Sequence, residues 1–486
     1  MVVNSLSFLL FFIVVFTVYY MPGIRQHAAR QNVWLLLTSF FFYGFVDWKM
    51  LPILFGITAV FYWLGARIKK EMDANNRKKA SRYMKTGVVI GIGLLLYFKY
   101  LNFFAESVAS LLQQIGLSVS WSTLNIILPV GLSFFTFKLI SYVIEIKRKK
   151  SAPAESFLEF ATYISFFPTI SSGPIDRPNT FLVQLRKAHL FDYSKAIDGC
   201  QQILWGIFTK VVIADNLATV TNIAWHDYQE QSSSFLILAV LLSPTQVYAD
   251  FEGYTNMAIG VSKILGFNIT KNFNHPLLAR NVSEYWNRWH MSLTTWITDY
   301  VFTPLCLKLR DYANLGLLVA ITANLVLIGL WHGANWTYAV FGIFHGILFI
   351  PIIYSGELGK NSKIKEGKLG LPLLKDFFRM VLTYTIIGIG QIIFFAKDLY
   401  SAYDYMHHLF TGPWDFTCPI GFSTIAFILL LFVLEWTTRK KEYALQIHTK
   451  FTGKRTWMML AIDYLIIAAI IWFGTFENSQ FIYFQF

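Results

Sequence analysis

The sequence predicts an all-α, polytopic membrane protein with about eleven to twelve transmembrane helices. The first observation behind this is composition. Of 486 residues, 55% are hydrophobic and 14% are charged, with a mean hydropathy of +0.48, whereas a soluble domain carries about 25% charged residues. So much apolar surface cannot be hidden in one or two soluble cores, which excludes an ordinary cytosolic enzyme, a disordered chain and a disulfide-stapled secreted domain. The second is recurrence. Apolar runs long enough to span, or nearly so, fall at 5–21, 33–47, 50–66, 86–105, 122–145, 198–220, 233–250, 315–331, 335–354, 377–396, 420–436 and 456–474. The third is the placement of charge. The net +13 comes from short basic clusters between apolar runs, the pattern of cytoplasmic loops rather than of a nucleic-acid-binding face.

Taken in order, the run 5–21 lacks a basic start, and Val18-Tyr19-Tyr20-Met21 offers no small-residue cleavage site. It is expected to be a retained transmembrane helix rather than a signal peptide. Residues 67–85 carry eight Lys/Arg and 106–121 none; Lys147-Arg148-Lys149-Lys150 follows, and 222–232 again have none. Five Lys occupy 355–376, one Lys and three Asp occupy 397–418, and six Lys/Arg occupy 437–455. This alternation places the basic segments in the cytoplasm and, with twelve spans, both termini outside. The stretches 156–170 and 256–268 look shorter or broken, as re-entrant or interfacial segments do. Lys99 and Lys138 sit near span ends, where lysine can snorkel to water. No internal repeat with paired broken helices is evident, which argues against a transporter.

The region 251–314 is polar for a membrane protein, and such a stretch must be buried in protein or line a cavity. The chemistry is expected there. The usual signals for nucleotide, zinc-protease and α/β-hydrolase sites are missing, and Cys200, Cys306 and Cys418 form no CxxC, so no metal site is indicated. Two clusters stand out, Glu284-Tyr285-Trp286-Asn287-Arg288-Trp289-His290-Met291-Ser292-Leu293 and Leu330-Trp331-His332-Gly333-Ala334-Asn335-Trp336. His332 falls at the turn of an apolar hairpin whose outer ends are cytoplasmic by charge. An imidazole there either acts as a general base on a hydroxyl or is held by hydrogen bonds in a tight turn. His290 is either a second site residue or part of an interfacial aromatic belt of Trp286, Trp289 and Trp296 with Arg288 at the headgroups. His345 either faces the same cavity or packs between helices. Asp250 is read as a partner for Arg288 or a histidine, or as a cap on a following helix. Trp286, Trp289, Trp331 and Trp336 either line a channel, which a bulky residue at Gly333 or Ala334 would fill, or simply pack.

Trp331-His332-Gly333 in its hairpin, preceded by Asn287-Arg288-Trp289-His290-Met291-Ser292-Leu293, resembles the membrane-bound O-acyltransferase family, and within it the bacterial branch that O-acylates cell-envelope polymers. Pro129-Val130-Gly131-Leu132-Ser133-Phe134-Phe135-Thr136-Phe137, Phe98-Lys99-Tyr100-Leu101-Asn102-Phe103, Gly173-Pro174-Ile175, Asp250-Phe251-Glu252-Gly253-Tyr254 and Asn272-Phe273-Asn274-His275-Pro276 are similar to stretches of the same branch. The resemblance implies one integral membrane domain over 1–486, with N-terminal helices in 1–150, a catalytic core in 151–354 and C-terminal helices in 355–486, the helices surrounding a central tunnel. It implies His332 as catalytic residue with His290 in support, and Asn287, Arg288, Trp289, Trp331, Asn335 and Asp250 along the substrate path. It further implies no permanently bound cofactor or metal, and a cytoplasmic thioester as donor: acetyl-CoA in the alginate- and peptidoglycan-acetylating type, or a carrier-protein thioester of D-alanine in the teichoic-acid type. The expected partners are an extracytoplasmic acetyltransferase or esterase-like protein, an acyl carrier protein in the second type, a polysaccharide acceptor and membrane lipid, without nucleic acid. The expected location is the bacterial cytoplasmic membrane. Asn287-Arg288-Trp289-His290-Met291 leans towards the D-alanylating type; the ending Gln480-Phe481-Ile482-Tyr483-Phe484-Gln485-Phe486 leans towards the acetylating one. Acetylation is the preferred reading.

Overall fold

A computed structural model describes residues 3–117, 124, 126–360, 364, 366–367, 370–415, 420–446, 454–476 and 481, the side chains of 454–456 excepted. Cys418 and, apart from Phe481, the terminal 480–486 motif lie outside the described residues. Among the described residues the secondary structure is helical, with a single isolated bridge between Glu366 and Pro372. Seven helices among the described residues are long and apolar enough to cross a membrane, and Leu6–Tyr19, Phe422–Thr437 and Trp457–Phe473 are shorter apolar helices. Val89, Leu429 and Leu465 leave more than half of their surface exposed, as lipid-facing side chains do. The protein is a multi-pass membrane protein.

Two of the expected boundaries move. The runs 33–47 and 50–66 lie on one 46-residue helical stretch, Ala28–Asp73, interrupted only by the 3₁₀ turn Trp48–Met50. The runs 233–250 and 256–268 are a single 32-residue helix, Ser233–Ile264, with Pro244 inside it. The broken, interfacial reading of 256–268 is therefore corrected. Polar Asp250, Glu252, Thr255 and Asn256 interrupt the hydropathy, but all four are buried, so the helix continues through them. The 122–145 run is carried by Leu132–Lys147.

The chain forms two compact units. The first holds residues 1–200 and 258–270. Its helices start on side-chain caps: Ser5, Asn76 and Ser156 accept from the backbone N–H of Phe8, Lys79 and Glu159. Gly131 precedes Leu132–Lys147 with φ 70°, and a Cβ there would lie 2.0 Å from the Ile170 carbonyl oxygen, so only glycine suits both the turn and the close approach. Lys138 does not snorkel: it is 1% exposed, and its Nζ donates to Thr169 Oγ1 at 2.8 Å. The Gly173-Pro174-Ile175 bend is pinned at its end, where the Asp176 carboxylate accepts from Thr270 N and Oγ1 at 2.8 and 2.9 Å.

The second unit holds residues 201–257 and 271–486. The helix Tyr193–Phe208 runs through a π turn, Thr209–Ala214, into Asp215–His226. Short helices Val282–Arg288 and Met291–Ile297 follow the long Ser233–Ile264 helix, and Ala313–His332 and Trp336–Ile347 form the expected hairpin. Leu374–Phe395 packs on the second arm of that hairpin.

Candidate active site

The first cluster is built by two chain segments zipped together. Met291 N donates to the Asn272 carbonyl at 2.8 Å and Asn274 N donates to the Arg288 carbonyl at 3.0 Å. Ser292 Oγ adds a bond to Asn272 Oδ1 at 2.6 Å. Asn281 caps Val282–Arg288 by accepting from Glu284 N, and the Glu284 carboxylate sits between Arg280 and Arg288, at 3.0 and 2.5 Å. This bracing ends in His290, which joins the two short helices with φ 41° and ψ 53°. Left-handed backbone is uncommon outside glycine, although histidine adopts it more readily than most residues; here the paired segments flank it. The imidazole is 1% exposed and stands edge-on to Phe251 at 4.8 Å and to Trp331 at 5.5 Å between centroids.

The second cluster depends on close packing of the hairpin. Gly329 lets the first arm touch the Tyr338 carbonyl, and Gly342 and Gly346 bring the second arm against Val326 and Thr322. Small residues at such spacings let membrane helices approach backbone to backbone. The turn is fixed by Asn335, which accepts from Thr337 N at 3.1 Å and donates to the Lys397 carbonyl at 2.7 Å. His332 ends the first arm and is 5% exposed. It sits among Trp331, Phe394 and Tyr338, with centroids at 4.9, 5.0 and 6.5 Å. Trp331 thus packs against both histidines. A cavity of about 30 Å³ opens at His332 and is also lined by Trp286, Trp289, His345 and Gln391.

The structure brings the expected catalytic residue His332 and, of the residues expected along the substrate path, Trp289 to the cavity, and it places Trp331 against both histidines. Asn287 is exposed. Arg288 pairs with Glu284, and Asn335 serves as a helix cap. Asp250 neither meets Arg288 nor caps a helix. It lies inside Ser233–Ile264 and accepts from Lys210 Nζ at 2.5 Å, while the same amine reaches Asp215 at 2.7 Å. Gly333 does not offer a channel to fill: a Cβ there would strike the Tyr338 ring at 2.2 Å. Trp336 is exposed, with 53% of its surface open.

Sequence reasoning missed the buried polar groups that surround these clusters. Lys210 and Asp215 were available as ionisable residues within an apolar run, a signal that marks interior or functional positions. Tyr248 and His275 both bond the Glu435 carboxylate, at 2.9 and 2.8 Å. Their separation by 160 residues or more left no local signal. Gln391 is one polar residue in the apolar 377–396 run, a weak signal.

Residues 151–387 match the model of the membrane-bound O-acyltransferase family. The chain is 32% identical over 448 residues to a probable alginate O-acetylase of Pseudomonas aeruginosa, covering 89% of this chain and 81% of that protein. The chain belongs to the membrane-bound O-acyltransferase family. A peptidoglycan O-acetyltransferase of Helicobacter pylori is 28% identical over 407 residues, 78% of this chain and 73% of that one. A teichoic acid D-alanyltransferase of Bacillus subtilis is 30% identical over 292 residues, 57% and 71% of the two chains. This membrane-bound O-acyltransferase is an enzyme, and both histidine clusters fall inside the matched 151–387 region. A buried imidazole beside a small aromatic cavity suits acyl transfer, because it can take a proton from a hydroxyl in a place where bulk water does not compete.

Proposed function

We propose that the protein passes an acetyl group from cytoplasmic acetyl-CoA to hydroxyl groups of a cell-envelope or exported polysaccharide, through an extracytoplasmic partner transferase. The observation that carries this is His332 at a hairpin turn beside an aromatic cavity, in a chain aligned over most of its length with probable alginate O-acetylases. His332 acts as general base. As the hydroxyl oxygen bonds to the acyl carbon, its proton moves to the imidazole, and the C–S electrons leave with the thiolate, which is then reprotonated. His290, behind Trp331, supports the position of that indole and so of His332. The basic clusters at 67–85 and 437–455 support a donor side in the cytoplasm of a bacterial inner membrane; only the small acyl group then crosses hydrocarbon, which avoids moving phosphates through it.

Transfer of D-alanine from a carrier protein to teichoic acid is the second reading. It is supported by a shorter match, 57% of this chain against 89%. The full-length protein in proteoliposomes, supplied with radiolabelled acetyl-CoA on one side, tests both. The expected result is label passing to acceptor on the opposite side, dependent on His332. Use of D-alanyl carrier protein with no use of acetyl-CoA would replace the first reading by the second, and solute uptake without acyl transfer would overturn both.

A further inference from the structure

Away from the histidines, Leu374–Phe395 and Phe422–Thr437 leave a groove between them. Leu374, Phe377, Val381 and Tyr384 recur three and four residues apart and so line it from one helix face. Phe432, Val433 and Trp436 line it from the other helix, and Leu277 and Leu278, both buried, form its floor. It holds about 640 Å³, the size of a cleft for a small ligand, about 300–1,000 Å³. Leu374, Phe377, Val381 and Val433 remain exposed, so the groove opens sideways, where helices of a membrane protein meet lipid.

The wall offers nothing for a polar ligand to bond. Its polar side chains are Tyr384, Trp436 and Thr437. Tyr384 Oη donates to the Leu241 carbonyl at 2.6 Å, Trp436 Nε1 to the Gly370 carbonyl at 2.9 Å, and Thr437 Oγ1 to the Val433 carbonyl at 2.8 Å. All three are taken up by backbone, so an occupant meets rings and alkyl groups. A sugar or a nucleotide would leave its own polar groups unmatched there, whereas a hydrocarbon chain has none to match.

One end of the groove is charged. The chain folds back at 366–372, where Glu366 bridges Pro372, and Leu371 and Pro372 line the groove. Arg439 lies over the Trp436 ring, 4.2 Å from its centroid, and reaches Glu366 at 2.5 Å. Lys440 and Lys441 follow it in sequence, the Lys440 side chain 83% exposed. Glu366 offsets one of these three cations, and Glu442 is itself met by Lys271 at 3.9 Å. Positive charge therefore remains beside an apolar groove. Basic clusters at the ends of membrane helices attract anionic lipid headgroups, and the ligand that combines such a head with a hydrocarbon tail is an anionic phospholipid.

We propose that the groove between Leu374–Phe395 and Phe422–Thr437 binds an acyl chain of an anionic phospholipid, whose phosphate is held at Arg439, Lys440 and Lys441. The lipid is a bound companion of the fold rather than an acyl acceptor. Phe394, near the far end of the same helix, packs on His332 at 5.0 Å between centroids, so a chain wedged against Phe377 and Val381 steadies the helix that reaches the catalytic residue.

The test uses the full-length protein in detergent, with phosphatidylglycerol and phosphatidylcholine of identical acyl chains as probes. Native mass spectrometry reads bound lipid and oligomeric state, and thermal unfolding reads stabilisation. One phosphatidylglycerol is expected to stay bound in preference to phosphatidylcholine and to raise Tm. Val433→Trp, which fills the groove from an exposed position, is expected to abolish both effects. Val89→Trp, on an exposed helix face elsewhere, is expected to keep them. Lys440→Gln with Lys441→Gln changes only residues beyond the helix end and is expected to lower the preference for phosphatidylglycerol about five- to thirtyfold, with phosphatidylcholine binding unchanged. Equal binding of the two lipids by the unaltered protein, or an undiminished preference in the double lysine variant, overturns the anionic headgroup site. Retention of lipid by Val433→Trp, or equal loss in Val89→Trp, overturns the groove as its seat. A dimer that Val433→Trp dissociates, with no bound lipid in either form, would give the groove to a second copy of the chain instead. None of these readouts depends on acyl transfer, so the site and the proposed activity stand or fall separately.

Discussion

Gly329→Ala should disable the enzyme without unfolding it. The added Cβ would lie 2.1 Å from the Tyr338 carbonyl oxygen and 3.0 Å from its carbon. Both atoms are backbone, so neither can swing away as the end of a side chain would. The two arms of the hairpin must part by roughly 1 Å before that contact becomes tolerable, and packed interiors transmit such shifts rather than absorb them. His332 lies three residues along the same helix, and Tyr338 belongs to its ring of aromatic neighbours. A displacement of about 1 Å at a reacting group costs on the order of 10²-fold in rate. The assay is acetyl transfer from acetyl-CoA in proteoliposomes at matched protein amounts, with monodispersity checked by gel filtration. Gly56→Ala and Gly93→Ala are the controls. Both glycines are helical, and a Cβ at either meets nothing within 4 Å, so they should be neutral or slightly stabilising. Wild-type turnover in a folded Gly329→Ala protein, or equal losses in all three variants, would refute the claim that backbone contact in the hairpin sets the position of His332.

His332→Ala should lower acyl transfer by about 10²–10⁴-fold with the protein still folded, and near-normal turnover would remove it from the mechanism. His290→Ala should cost less, and the double variant should be no worse than His332→Ala, because residues acting as a unit are non-additive; additive losses would give His290 a separate role. Lys210→Met takes the ammonium away from the Asp215 and Asp250 carboxylates, 4% and 3% exposed, and should destabilise by about 3–5 kcal/mol in thermal or denaturant unfolding. Adding Asp215→Asn and Asp250→Asn should recover most of that loss, and an unaltered melting curve for the single variant would refute the triad's role. A cysteine at exposed Asn75 should be blocked only by a membrane-permeant thiol reagent in intact cells, and one at exposed Glu230 by an impermeant one; the reverse pattern would invert the direction of acyl flow. Ser118 and Ser362, in the loops of expected outer and cytoplasmic side, lie outside the described residues.

The sequence by itself determined the class of the protein and the addresses of its histidines. The hydropathy of a run is a local, additive quantity, so the runs at 315–331 and 335–354 could be read without knowing what they touch, and they return as the two arms of the hairpin. A histidine between two such runs is costly wherever they pack, which singled out His332 before any geometry was available. Tertiary structure alone decided the partners. Asp250 is read from the sequence as a partner for Arg288 or a histidine, yet its ion pair is with Lys210, 40 residues away, because the rotation of one helix against another selects the contact. The same holds for His275 with Glu435, 160 residues apart. From the sequence His345 either faces the cavity or packs between helices, and Gln391 gives no more signal than any polar residue on an apolar helix. Only the packing of Leu374–Phe395 on the hairpin turns both into one cavity with His332, and that packing depends on glycines whose missing side chains carry no hydropathy at all.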